Sequence, residues 1–147
     1  MKMNTAFRLG RLLCINLGVA SVGITTIAYA QQPFQQRVNS ACGGTDCQID
    51  FAQVPRNSRL EISNVSCSVS TIGGGEIGAL ELVVQRRNGL FDTVVELVSF
   101  PHSGGFVSSN VVTAFATHGE RVYIYAQTTN TLQALACHIS GQIVTVP

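Results

Sequence analysis

The sequence predicts an all-β fold: a single antiparallel β-sandwich of about seven strands, with a jelly roll as one form of it, bonded by disulfides and carried behind a cleavable leader. Three observations predict it. Short runs rich in Val, Ile, Thr and Phe recur between Gly, Asn, Ser and Pro. Several of those runs alternate apolar and polar residues with period two. An even number of cysteines, Cys42, Cys47, Cys67 and Cys137, follows the leader.

The leader is residues 1–30. Lys2, Arg8 and Arg11 form a basic start, Leu12 to Ile27 carries no charge, and Ala28-Tyr29-Ala30 has the small-x-small pattern for cleavage before Gln31. A membrane-spanning helix wants about 20 predominantly apolar residues, and Asn16, Thr25, Thr26 and several glycines interrupt this run. The expectation is an exported chain, periplasmic or extracellular, with no membrane insertion after cleavage. Residues 31–41 are polar and Gln-rich and read as a flexible or loosely docked arm. The sandwich domain is then residues 42–147.

Beyond the leader the chain has six arginines, eight acids and no lysine, a formal net charge of −2. So mild an acidic balance gives no electrostatic reason to expect nucleic acid. Four cysteines in an exported domain read as two disulfides, with three connectivities open. Gly43-Gly44 allows a tight Cys42–Cys47 loop, which leaves Cys67–Cys137 to join an early strand to the last. In the chain-entropy account the long loop of about 70 residues is worth about 4 kcal/mol and the short one about 2. A four-cysteine zinc site wants its ligands in two close pairs, whereas Cys67 and Cys137 each stand alone.

The elements follow in order. Cys47–Val54 places Cys47, Ile49 and Phe51 on one face and stops at Pro55. Arg59–Ile72 alternates in one phase through Leu60 and Ile62, and in the other through Val65, Cys67 and Val69. Such a change needs an extra residue, so a bulge or bend is expected near Ser63-Asn64. Arg87-Asn88-Gly89-Leu90 reads as a two-residue type I′ hairpin turn. Its register pairs Arg86–Phe91, Val84–Thr93, Leu82–Val95 and Leu80–Leu97 on a core face. Arg87–Leu90, Gln85–Asp92, Val83–Val94, Glu81–Glu96 and Ala79–Val98 fall on the other. Phe106–Ala116, Arg121–Gln127 and Leu132–Val146 complete the strands, the last with a phase change expected around Ser140-Gly141.

Candidate sites are few. Gly73, Gly75 and Gly78 match the spacing of a dinucleotide-binding loop. The strand-like alternation of Leu80, Leu82 and Val84 instead makes this a Gly-rich link between strands, so no cofactor is expected. Glu81 opposite Glu96, with Asp92 close by, offers either a carboxylate pair for glycoside hydrolysis or oxygen ligands for Ca²⁺. A flat sheet face, however, provides no enclosure to hold one carboxyl protonated. His102, His118 and His138 stand in different segments, and Ser103, Ser108 and Ser109 lack a nucleophile-elbow context.

The preferred binding face is Arg121–Gln127. If Val122, Ile124 and Ala126 point inward, Arg121, Tyr123, Tyr125 and Gln127 point out. Side-by-side tyrosines flanked by hydrogen-bonding groups suit a glycan or a protein partner at the cell envelope. The expected role is a non-catalytic exported binding or structural module. A small hydrolase using Glu81 and Glu96, and a subunit of a surface assembly with residues 31–41 as donor strand, are its alternatives.

Overall fold

The computed structural model describes residues 31–146, and the expected leader, residues 1–30, lies outside them. The elements are β1 (Gln31–Ala41), β2 (Asp46–Asp50), β3 (Ser58–Thr71), β4 (Ile77–Gln85), β5 (Phe91–Glu96), β6 (Ser99–His102), β7 (Gly105–Thr117), β8 (Arg121–Thr128) and β9 (Leu132–Thr145). They form two antiparallel sheets, one ordered β1-β9-β3-β7-β6 and the other β2-β8-β4-β5. The strands β1/β9, β2/β8, β3/β7 and β4/β5 are neighbours in nested pairs, as in one long hairpin rolled on itself. That nesting is the jelly-roll arrangement, with β6 added at one edge.

The described chain holds nine strands, two more than the sequence pattern predicts. One of the two is Gln31–Ala41. Expected as a flexible arm, it pairs with β9 along its whole length, from Gln31↔Val144 to Ala41↔Ala134. Its even-numbered positions turn toward the sandwich, and Phe34 and Val38 pack on the core from there. An edge strand with one wet face can be polar overall, and Pro33 is tolerated at such an edge. The second addition, β6, is four residues long, contains Pro101, and pairs only with β7.

The core is the apolar phase of the two sheets face to face. Leu60, Ile62, Val65, Val69, Leu135 and Ile139 come from the larger sheet, and Leu80, Leu82, Val84 and Ile124 from the smaller. The change of phase in β3 occurs where the alternation demands it: the register shifts between Ile62 and Asn64 against both neighbours, with Ser63 the extra residue against β9 and the extra residue on β7's side against β7. No change of phase occurs at Ser140-Gly141. Leu135, Cys137, Ile139, Gly141 and Ile143 all stand opposite inward residues of β3. Gly141 keeps an inward place without a side chain, which the sequence pattern reads as a break. A Cβ there would overlap the carbonyl of Glu61, so the bulged strand and β9 meet backbone to backbone.

Both disulfides pair as the spacing suggests, Cys42–Cys47 and Cys67–Cys137. Cys67 and Cys137 are Cα partners on adjacent strands of one sheet. Cys42–Cys47 ties the end of β1 to β2, across the corner between the sheets. Two such bridges fit an oxidising compartment.

Where the chain crosses from β5 to β6, Asn110 of β7 replaces a strand partner. Its Oδ1 accepts from the Val98 N–H at 3.1 Å and its Nδ2 donates to the Val98 carbonyl at 3.1 Å. Ser108 also donates to that carbonyl, at 2.9 Å. Ser108 is therefore a structural hydroxyl.

Candidate functional site

The outer face of the smaller sheet is built by four strands. β8 brings Arg121, Tyr123, Tyr125 and Gln127, because Val122, Ile124 and Ala126 are taken into the core. β2 adds Asp46, Gln48 and Asp50, and β4 adds Glu81, Val83 and Gln85, by the same alternation. In register, Tyr123 lies between Asp50 and Val83, and Tyr125 lies between Gln48 and Glu81.

The turn at Asn88-Gly89 completes the face by departing from the expected hairpin. The Gly89 N–H donates to the Arg86 carbonyl at 2.9 Å, and the Arg86 N–H donates to Leu90 O at 2.8 Å. Gly89 has φ +83°, and Asn88 is not among the residues of positive φ. This is a three-residue loop with the left-handed position at Gly89, not a type I′ turn. Phe91 accordingly pairs with Gln85 rather than Arg86, and Asp92 is the extra residue before Thr93 returns opposite Val84. One step of register moves a side chain to the other face of a sheet. Phe91 therefore stands outside, 64% exposed, beside Val94 at 48%. Of the expected pairs, Arg87–Leu90, Arg86–Phe91 and Gln85–Asp92 are absent, while Val84–Thr93, Val83–Val94, Leu82–Val95 and Glu81–Glu96 are present.

The result is a hollow of about 340 Å³ walled by Phe91, Val94, Tyr123 and Tyr125, with Val83 as its floor and Gln48 and Glu81 at its rim. Val83 is 3% exposed although it faces away from the core, since it lies between Tyr123 and Val94. The two tyrosines do not present equally. Tyr125 is half-buried, whereas Tyr123 is only 7% exposed, so the expected open pair of rings is one open ring beside a covered one. The Arg121 guanidinium lies 5.5 Å from the Tyr123 ring centroid and donates to Asp50 Oδ1 at 2.7 Å. Burial pushes the Tyr123 hydroxyl above the ordinary tyrosine range; Arg121 opposes the shift, and Asp50 and Glu81 add to it. Phe91 and Val94 were not among the residues singled out from sequence. Alternation signals Val94, but the placement of Phe91 depends on the turn.

Glu81 and Glu96 are Cα partners, as the hairpin register requires. Asp92 does not join them, because the bulge moves it and it pairs with Arg86. Among the described residues no three His, Cys, Asp or Glu side chains gather to hold a metal ion, so the three-carboxylate Ca²⁺ arrangement does not form. Gly73, Gly74 and Gly75 all have positive φ in a loop that leads into strand β4, not into a helix. The Asn130 amide donates to Gly74 O at 3.0 Å and holds that loop. The histidines stay apart: His102 ends β6, His118 has Nδ1 3.0 Å from Val54 O in the β7–β8 turn, and His138 lies in β9.

No protein-family model and no curated protein matches this chain.

Proposed function

We propose that the chain is an exported binding module of the periplasm or cell exterior, without catalytic activity of its own. Its ligand is a carbohydrate taken on the outer face of the smaller sheet. One observation carries this reading: Phe91, Val94 and Tyr125 form an open apolar platform around Val83, rimmed by Gln48 and Glu81. A sugar ring has an apolar C–H face bounded by hydroxyls. Aromatic rings suit the first, and amide and carboxylate groups suit the second. A hollow of about 340 Å³ also falls within the size range of small-ligand sites.

The carboxylate pair Glu81/Glu96 fits a rim better than a hydrolytic centre. Hydrolysis needs one carboxyl kept protonated, and the face is open above both. The donor-strand reading loses its donor, since β1 already pairs with β9 of its own chain.

The chain beyond the leader contains no Trp and only two tyrosines, both on this face, so intrinsic emission reports the site directly. Titration with hexamers of N-acetylglucosamine, glucose and galacturonate should give a saturable change with at least one of them. Phe91→Ala, which keeps both tyrosines, should weaken that response about tenfold or more, as the loss of an aromatic anchor does. Silence with all three, or equal responses in wild type and Phe91→Ala, would refute the reading.

A further inference from the structure

We infer that the bound sugar is anionic. A second hollow, lined by Arg86, Arg87 and Arg121, adjoins the aromatic platform and receives the carboxylate or sulfate of the same ligand. The inference rests on the carbohydrate reading above and adds the ligand's charge to it.

The second hollow has a volume of about 540 Å³, and Gln53, Gln85, Gly89 and Gly119 complete its lining. It meets the platform at two places. Gln85 belongs to it and is the Cα partner of Phe91. Arg121 belongs to it and lies over the Tyr123 ring. A chain of sugars stacked on Phe91 and Tyr125 would therefore extend directly over the arginines.

The charges there are not balanced from within. Asp92 pairs with Arg86 and Asp50 with Arg121, while Arg87 has no ion pair among the described residues. Glu120, the nearest acid in sequence to Gly119, is turned into its own loop. Its Oε2 accepts from the Thr117 N–H at 2.6 Å and from Thr117 Oγ1 at 3.0 Å. Arg87 nevertheless lies beside Gly119, where a Cβ would overlap its guanidinium. One unpaired guanidinium beside two already oriented ones presents several donors to a single anion, and its planar fork matches a carboxylate or sulfate. Elsewhere the same face carries Asp46, Glu81 and Glu96, so this end is where an anion would be drawn.

Calorimetric titration with a galacturonate hexamer and its methyl ester, and with a sulfated dextran oligomer and plain dextran, tests this. At low salt the charged member of at least one pair should bind about tenfold more tightly, the measure of one charge-assisted hydrogen bond. The gap should close in Arg87→Gln, in Gly119→Ala, which displaces the guanidinium without deleting it, and at high salt. Arg37→Gln, on the other sheet, should leave the gap intact. Melting curves establish that each variant is folded. Which pair shows the gap identifies the anion as uronate or sulfate ester. Equal binding of charged and uncharged members, or a gap that Arg37→Gln closes as well as Arg87→Gln, overturns the inference. If Phe91→Ala still weakens binding in that case, the carbohydrate reading stands without it. Absence of binding by any oligomer, or binding indifferent to Phe91→Ala, removes both.

Discussion

Phe91 stands directly opposite Gln85, and that pairing decides which face of the sheet carries its ring. An unbroken ladder from Val84–Thr93 toward the turn would set Phe91 against Arg86, on the side of Leu82 and Val84, which are in the core. The extra residue Asp92 prevents this and is held by Arg86. A large aromatic side chain has been moved out of the interior and onto the platform.

A ring 64% exposed contributes little to folding. Phe91→Ala is therefore expected to change stability by no more than about 0.5 kcal/mol, within the range for surface substitutions. Urea denaturation of both proteins measures it. A loss above about 2 kcal/mol would place Phe91 in the core, on the scale of a Phe→Ala core truncation.

Gly141→Ala is expected to be far more damaging, though it adds one methyl group. The new Cβ would meet the Glu61 carbonyl and the Ile62 Cα, which belong to backbone and cannot swing aside. Forcing β9 from the bulged part of β3 should cost about 1–3 kcal/mol or more, in the range of an overpacked core. The midpoint of urea denaturation checks this. An unchanged midpoint would show that the two strands are not in close approach.

Much of the sandwich was legible because alternation is a direct record of which face is dry. The bulge at Ser63 follows from Ile62 and Val65 being out of phase, and both cysteine pairs follow from spacing. β1 was not legible because two of its four inward places beyond Pro33 are Gln36 and Ser40, and its outward side is wet. β6 is too short to show a period. The binding face was half legible. Tyr123 and Tyr125 follow from Val122, Ile124 and Ala126, but Asn88-Gly89 suits a two-residue and a three-residue loop alike. Phe91 depends on that difference of one residue. The arginine hollow joins Gln53, the hairpin turn and Gly119 through tertiary structure, which no local pattern records.

Thr71 predicts a gain. Its side chain is 7% exposed, and its Oγ1 is the only buried side-chain nitrogen or oxygen without a partner among the described residues. A buried, unpaired hydroxyl costs about 1–3 kcal/mol of desolvation. Valine keeps the β-branched shape that a strand favours. Thr71→Val should raise stability by about 1 kcal/mol, seen as a higher denaturation midpoint. A loss of similar size would mean that the hydroxyl is bonded, by water or a bound group.

Alkaline pH should act through Tyr123. Its hydroxyl titrates above the ordinary tyrosine range in the folded chain, chiefly because the ring is covered. The unfolded chain therefore gives up this proton first as pH rises. The covered ring's contribution is complete below the ordinary tyrosine range and is lost as pH climbs through the raised value. In a chain that begins at Gln31, Tyr125→Phe leaves Tyr123 as the sole phenol. Its phenolate absorbance should develop later in the native protein than in urea, and stability should fall across that interval. Arg121 is the nearby positive charge that favours the phenolate, and it also pairs with Asp50, whose negative charge opposes it. Arg121→Ala should therefore displace the titration further upward. A return toward the ordinary range would show instead that the guanidinium acts on Tyr123 by covering the ring and not by its charge.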